Sequence, residues 1–404
     1  MTKKLTVLFV DDEPNVLRGL RRSMFEMEDG WDMHFCHSGS AALELLASVP
    51  VDVVVSDMRM PNMDGAHLLD TVRRLYPQAI RIILSGYAEA ESVLKTVSPA
   101  HIYLAKPCSA ERLRQAISRP LALRKFLSDP TLLAAIGGLA NLPSLPEGYL
   151  QLLAELARPD SSTASVARIL SHDVAMTAEI LKLTNSAFFA LNSQVGSVFQ
   201  AVKILGLEII QTLVLQVGIF RQLDSLRPLA GLLDDLNRFS LHRGALAEAI
   251  ARDMGESEDV IRSSQFAAML STIGILVLLD HDPDLYRKTL SLVQPGTSLF
   301  AAEKQTYGTC NAYVGAYLLG LWGFSDAVIE AVAFAACPRS APSPDSPILL
   351  AAHVTQAMGP PMPLLPSGTE TGGVLDMAYL VELRKDGQIA HWRQLAAEKN
   401  GEDV

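Results

Sequence analysis

Along the first part of the chain, apolar and polar positions follow two alternating periods. Short runs of β-branched, aromatic and other apolar residues, LTVLFV, WDMHFC, VDVVVS, RIILS and HIYLA, read as strands. Between and after them, NVLRGLRRSMF, SAALELLAS, HLLDTVRRL, ESVLKTV and ERLRQAI carry apolar residues at helical spacing. Short apolar strands joined by helical crossovers predict an α/β doubly wound, five-stranded parallel sheet covered on both faces, with chemistry at the carboxyl ends of the strands.

After Ser118 the pattern changes. Pro120, the basic stretch LALRKFL and Pro130 mark a connector. From about Leu132 the apolar residues fall at helical spacing in long blocks with no strand alternation, which predicts an all-α region. Two Pro- and Ser-rich stretches, CPRSAPSPDSP and PPMPLLPSGTETGG, read as loops within or beside it. The expected division is a first domain over 1–120, a helical connector over 121–136 and a helical domain over 137–400 with its core at 137–335.

Composition narrows the function. A net charge of -10 argues against a general phosphate-neutralising surface, so direct nucleic-acid binding is not expected. Cys36, Cys108, Cys310 and Cys337 are scattered, form no C-x-x-C pair, and fit free thiols in a reducing compartment. The apolar stretch from Ala312 to Phe324 falls short of the roughly 18 residues of a membrane span. A cytoplasmic protein is expected.

Three carboxylates stand at predicted strand ends: Asp11 and Asp12 after the first, Asp57 after the third. Converging carboxylates are costly without a cation, and this hard oxygen set suits Mg²⁺. Ser85 after the fourth strand and Lys106 after the fifth add an anion-facing hydroxyl and ammonium. The set suits phosphoryl transfer onto Asp57 as nucleophile, with Mg²⁺ and Lys106 neutralising charge and Ser85 binding a phosphoryl oxygen. Singly, such residues are more often helix caps or solvated lysines; their order after successive strands is what carries the reading.

Through LFVDDE, VVSDMRMPNMDG, ILSGY and YLAKP, residues 3 to 120 resemble the flavodoxin-like receiver domain of two-component response regulators. The resemblance implies metal ligation by Asp12, Asp57 and the Arg59 backbone carbonyl, with Asp11 assisting through water. It also implies a switch role for Tyr103, a cis Lys106-Pro107 bond, and phosphorylation of Asp57 by a histidine kinase. Arg59 and Tyr87 flank the site.

The helical region resembles the HDOD domain, a relative of the metal-dependent HD phosphohydrolases. The resemblance rests on Leu145-Pro146, on ILSHDVAMTAEILKLTNS ending in Asn185-Ser186, and on Ile204-Leu205-Gly206. Such hydrolases need several His and Asp ligands to hold one or two metals. His242 fits the place of the first ligand, but Ser271 and Thr272 stand where the His-Asp pair belongs, and Asn311 replaces a histidine. These residues form a vestigial site that supplies no convergent ligand set, so neither metal nor hydrolysis is expected there. His172-Asp173 reads as a solvated cap at a helix start, and Phe188-Phe189 and the Trp322 region as core.

These expectations combine into a phosphorylation-switched scaffold with a non-catalytic output that meets an unidentified downstream signalling protein or changes oligomeric state, a homodimer included. No membrane contact is expected. One alternative is an HDOD domain that binds a signalling nucleotide, such as a cyclic dinucleotide, near His242, Ser271 and Thr272 without cleaving it. Another is a phosphodiesterase of the HD-GYP type, which would need the absent His-Asp pair and GYP loop. A third is a receiver that is not phosphorylated and acts as a constitutive dimerisation element.

Overall fold

The computed structural model describes residues 4–25, 30–85, 99–127, 129–139, 146–156, 158, 160–185, 195–212, 214, 230–294, 297–365 and 374–400. Leu145, Ser186, Tyr87 and the Phe188-Phe189 pair lie outside these residues.

The N-terminal part runs β1 (Leu5–Val10), α1 (Pro14–Ser23), β2 (Trp31–Cys36), α2 (Gly39–Leu46), β3 (Val53–Asp57), α3 (Gly65–Leu75), β4 (Ile80–Ser85), β5 (Ile102–Ala105) and α4 (Ala110–Arg124). All strand pairs are parallel, in the order β2-β1-β3-β4-β5. β3 is buried at every position, as a strand covered on both faces must be.

The rest of the described chain is helical. It comprises α5 (Pro130–Gly138), α6 (Pro146–Leu156), α7 (Thr163–Ser171), α8 (Val174–Asn185), α9 (Val198–Leu205), α10 (Leu207–Thr212), α11 (Ala230–Asp253), α12 (Glu258–Leu270), α13 (Ile273–His281) and α14 (Pro283–Ser291). There follow α15 (Leu299–Tyr307), α16 (Asn311–Leu321), α17 (Asp326–Phe334), α18 (Pro347–Met358), α19 (Met377–Glu382) and α20 (Ile389–Asn400). A satellite core of Leu246, Ile250, Val354, Leu380 and Trp392 fastens the last helices, and both Trp392 Nε1 and His391 Nε2 reach the Asp253 carboxylate, at 3.1 and 2.8 Å. The segment Glu258–His281 is long and apolar enough to cross a membrane, although 67% of its most apolar window is buried inside the fold.

One local expectation is corrected, and one connector detail is refined. The helix before the connector continues into it: α4 runs through Pro120 to Arg124. Proline removes one backbone donor, but Pro120 is buried against Gly320 of α16, where a β-carbon would already touch its Cα at 3.7 Å. Asp173 does cap a helix, accepting from Met176 N at 2.9 Å, but it is 2% exposed rather than solvated. The chain covers it because Asn237 of α11 bonds both neighbours, accepting from Val174 N at 3.0 Å and donating to His172 O at 2.7 Å.

The sheet and the helices share one apolar core. Ile82, Ile102, Leu113 and Leu123 join Leu133, Ile136, Tyr317 and Phe334 in a single cluster. At the seam, Phe126 stacks on Tyr313 with ring centroids 4.4 Å apart, and Arg119 pairs with Asp326 at 2.7 Å. Beneath it lies Arg81 of β4, fully buried, donating to Pro99 O at 2.6 Å, Gly137 O at 2.7 Å and Ala79 O at 3.2 Å. The His101 ring lies 2.7 Å from Nη2. Burial, with Arg73 nearby, draws the guanidinium pKa down to about 9, and burial and Arg81 hold His101 well below the usual histidine range.

Candidate functional site

Parallel register gathers the acidic residues. Val10 lies opposite Ser56, so Asp11 and Asp57 follow side by side at the carboxyl edge. Asp57 pairs with Leu84, and Ser85 pairs with Ala105, so Lys106 emerges on the same edge. The side chain of Ser85 lies outside the described residues.

Lys106 Nζ donates to Asp11 Oδ2 at 2.7 Å and also contacts Asp57 Oδ1. Asp11 is 2% and Asp57 9% exposed, so both carboxylates meet the ammonium largely out of water. Burial alone would lower the lysine pKa, but its hydrogen bonds to the two aspartates outweigh this and raise it, which keeps the ammonium charged. The loop after β3 orients Asp57 further: Arg59 N donates to Oδ2 at 2.7 Å, and Ser56 Oγ donates to the Asp57 carbonyl at 2.8 Å. Gly65 is required behind it, because a β-carbon there would come within 2.1 Å of that carbonyl. Asn62, at φ 67°, turns the loop, and Asp64 caps α3 by accepting from His67 N at 2.7 Å.

Asp12 is half-buried beside Asp11. Among the described residues, no three His, Cys, Asp or Glu side chains stand together as a metal set. The two carboxylates that do converge suffice in kind for Mg²⁺, which binds through one or two carboxylates and keeps several waters. Tyr103, in register with Ile83, packs against the core between the sheet and α2 and α3. The Lys106-Pro107 bond is cis.

The four residues of the vestigial site have separate partners. His242 Nε2 lies 2.8 Å from the Lys399 carbonyl of α20. Thr272 Oγ1 lies 2.5 Å from Ser240 Oγ, and Ser271 Oγ donates to Ala268 O at 2.6 Å. Asn311 donates from both its backbone and its amide to Glu303 Oε2 at 2.8 Å, while Tyr286 OH donates to Oε1 at 2.8 Å. A cavity of about 20 Å³ beside Ser240 and Thr272, lined also by Asp173 and Asn237, has room for a single water molecule.

Sequence reasoning missed Arg81, Arg243 and Glu303. A signal existed for Arg81, a charge inside the strand RIILS, and for Arg243 within an otherwise apolar stripe of α11. Glu303 gives no local sign of its burial, since its partners lie on other helices.

Comparison with known proteins agrees with this architecture. The family model for the response regulator receiver domain matches residues 7–118, and that for the HDOD domain matches 142–338. The chain carries a receiver domain followed by an HDOD output domain and is homologous to response regulators. It is 36% identical over 129 residues to the hydrogenase transcriptional regulatory protein HoxA of Cupriavidus necator, covering 31% of this chain and 26% of the relative. It is 35% identical over 130 residues to the regulatory protein AtoC of Escherichia coli K12, covering 32% of this chain and 28% of the relative. The chain thus spans little more than a quarter of these relatives' lengths. Among solved structures, the MmoQ response regulator of Methylococcus capsulatus is similar at 21% identity and TM-score 0.46, over 63% of this chain and 98% of that one. The receiver domain of an HD domain-containing protein of Pseudomonas fluorescens Pf-5 is similar at 32% identity and TM-score 0.27, over 30% of this chain and 94% of that one.

Proposed function

We propose that this chain is a cytoplasmic, phosphorylation-switched regulator in which Asp57 accepts a phosphoryl group from a histidine kinase and alters a non-catalytic HDOD output. The observation that carries the reading is the Lys106 ammonium set between the buried carboxylates of Asp11 and Asp57. A structural ion pair needs one acid; two acids sharing one cation at a strand-end edge form a pocket that can exchange partners. Domain limits of 1–120, 121–136 and 137–400 belong to the same reading.

An Asp57 carboxylate oxygen attacks phosphorus, and the bond from phosphorus to the donor nitrogen breaks. Asp11, Asp12, Asp57 and the Arg59 carbonyl would hold Mg²⁺, which supplies charge neutralisation to the transferred group. Lys106 stays protonated and turns from the aspartates to the new phosphoryl oxygens, joined by the Ser85 hydroxyl. Tyr103, one strand position beyond Ile102 and its apolar cluster, follows Ser85 and shifts the face that α4 presents to the helices. Output passes through that seam to a downstream signalling protein or to a change in oligomeric state, a homodimer included.

For the HDOD domain, the separate partners of His242, Ser271, Thr272 and Asn311 support a regulatory output without hydrolysis or bound metal. The test is intact-mass analysis after Mg²⁺ and a small acyl phosphate. Wild type should gain one phosphoryl group and Asp57→Ala none; an unmodified wild type, or a modified variant, would refute the assignment.

A further inference from the structure

Arg243, in the middle of α11, is 7% exposed, and its Nε and Nη2 have no hydrogen-bond partner among the described residues. The Phe239 ring face lies 5.4 Å from the guanidinium carbon. Burial draws its pKa down to about 10, and no carboxylate among the described residues opposes this. A buried charge with neither counterion nor acceptor is among the least favourable arrangements a core can hold.

The vacant atoms form one edge. Nε–H and one Nη2–H point the same way, and elsewhere in this chain the same edge grips carboxylates. Arg158 uses it on Asp160, at 3.0 and 2.7 Å, and Arg114 uses it on Glu111, at 2.8 and 2.5 Å. Arg81 is the informative contrast: also buried, and bonded to no carboxylate, it is satisfied by backbone carbonyls. Arg243 therefore has the donor edge of an anion site, and the described residues bring it no anion.

We propose that Arg243 is the base of an oxyanion-binding site in the helical domain. Its Nε–Nη2 edge takes a carboxylate or a phosphate carried by a small molecule, with the Phe239 ring as one wall. The fork matches two oxygens of either group. The site is separate from the receiver pocket and needs no metal.

The experiment is thermal unfolding of the full chain carrying Asp57→Asn, which removes the receiver's phosphoacceptor. Melting is followed with increasing inorganic phosphate or acetate, against chloride at equal ionic strength. The proposal expects the melting temperature to rise with phosphate, acetate or both beyond chloride, and the two arms tell the oxyanions apart. R243M should melt higher than its parent in chloride, having lost an unpaired buried charge, and should show no oxyanion response. R243K keeps the charge without the fork, should keep less of the response, and carries the test if R243M does not fold. No rise beyond chloride in the parent, or equal rises in parent and variants, would overturn the site.

Discussion

At the residue scale, the position of Asp57, and with it the phosphoryl transfer proposed there, depends on a neighbour that has no side chain. A methyl group at position 65 would meet the Asp57 carbonyl at 2.1 Å, so Gly65→Ala must displace the end of β3. A displacement near 1 Å at a reacting group lowers rate on the order of a hundredfold. Phosphorylation of Gly65→Ala by a small acyl phosphate, followed by intact mass, should therefore be slower by tenfold to a hundredfold, roughly, while its circular dichroism stays that of wild type. Glu303 sets a second test at this scale. Burial raises its pKa to about 6 from the model-compound value of 4.5, against the hydrogen bonds from Asn311 and Tyr286. The folded chain then holds the extra proton between these two values, so the contribution to stability is full below pH 4.5 and is lost as pH rises through about 6. The loss amounts to about 2 kcal/mol. Urea unfolding across this range should show wild type falling by that amount relative to Glu303→Gln; parallel curves would exclude Glu303 as the source.

At the element scale, close helix packing rests on glycines. A β-carbon on Gly274 of α13 would lie 1.9 Å from the Asn311 carbonyl of α16, and one on Gly315 would lie 2.9 Å from Ile273 Cγ2. Gly274→Ala should thus cost about 1–3 kcal/mol or more in chemical denaturation. Gly231→Ala, near the start of α11 with nothing within 4 Å, should be neutral or stabilising by up to about 1 kcal/mol. How much of the fold was legible divides along the same line. The strands β1, β3, β4 and β5 could be read because their apolar, largely β-branched runs state burial locally, β2 by its short apolar-aromatic run, and parallel order then fixed where Asp11, Asp57, Ser85 and Lys106 emerge. That the connector is helical was legible from LALRKFL, but where α4 stops was not, because Pro120 is kept inside the helix by packing on Gly320, which lies far along the chain. The burial of Asp173 depends on Asn237, far along the chain, and the partners of His242 and Asn311 depend on helices whose packing no local spacing reveals.

At the scale of the whole molecule, a switch at Asp57 can reach the helical domain only if the two parts move as a coupled body. The shared core supplies that coupling, and Gly137 is its tightest point. Its absent β-carbon would fall 2.0 Å from the Pro77 carbonyl, and its own carbonyl accepts from Arg81 Nη2 at 2.7 Å. Gly137→Ala cannot keep both contacts, so α5 must lift from the receiver and leave Arg81 with one acceptor fewer. An unsatisfied buried charged donor costs about 1–3 kcal/mol or more. The helices and the sheet each retain apolar cores of their own, so what is lost first is the joint. Calorimetry should accordingly give a single transition for wild type and two for Gly137→Ala, the first at the lower temperature. The phosphorylated variant should still carry its phosphoryl group on Asp57, while amide exchange in α16 and α17 no longer responds to it. If Gly137→Ala instead melts in one transition and exchange in those helices still changes on phosphorylation, then the signal travels by another route than the seam of β4, α4 and α5.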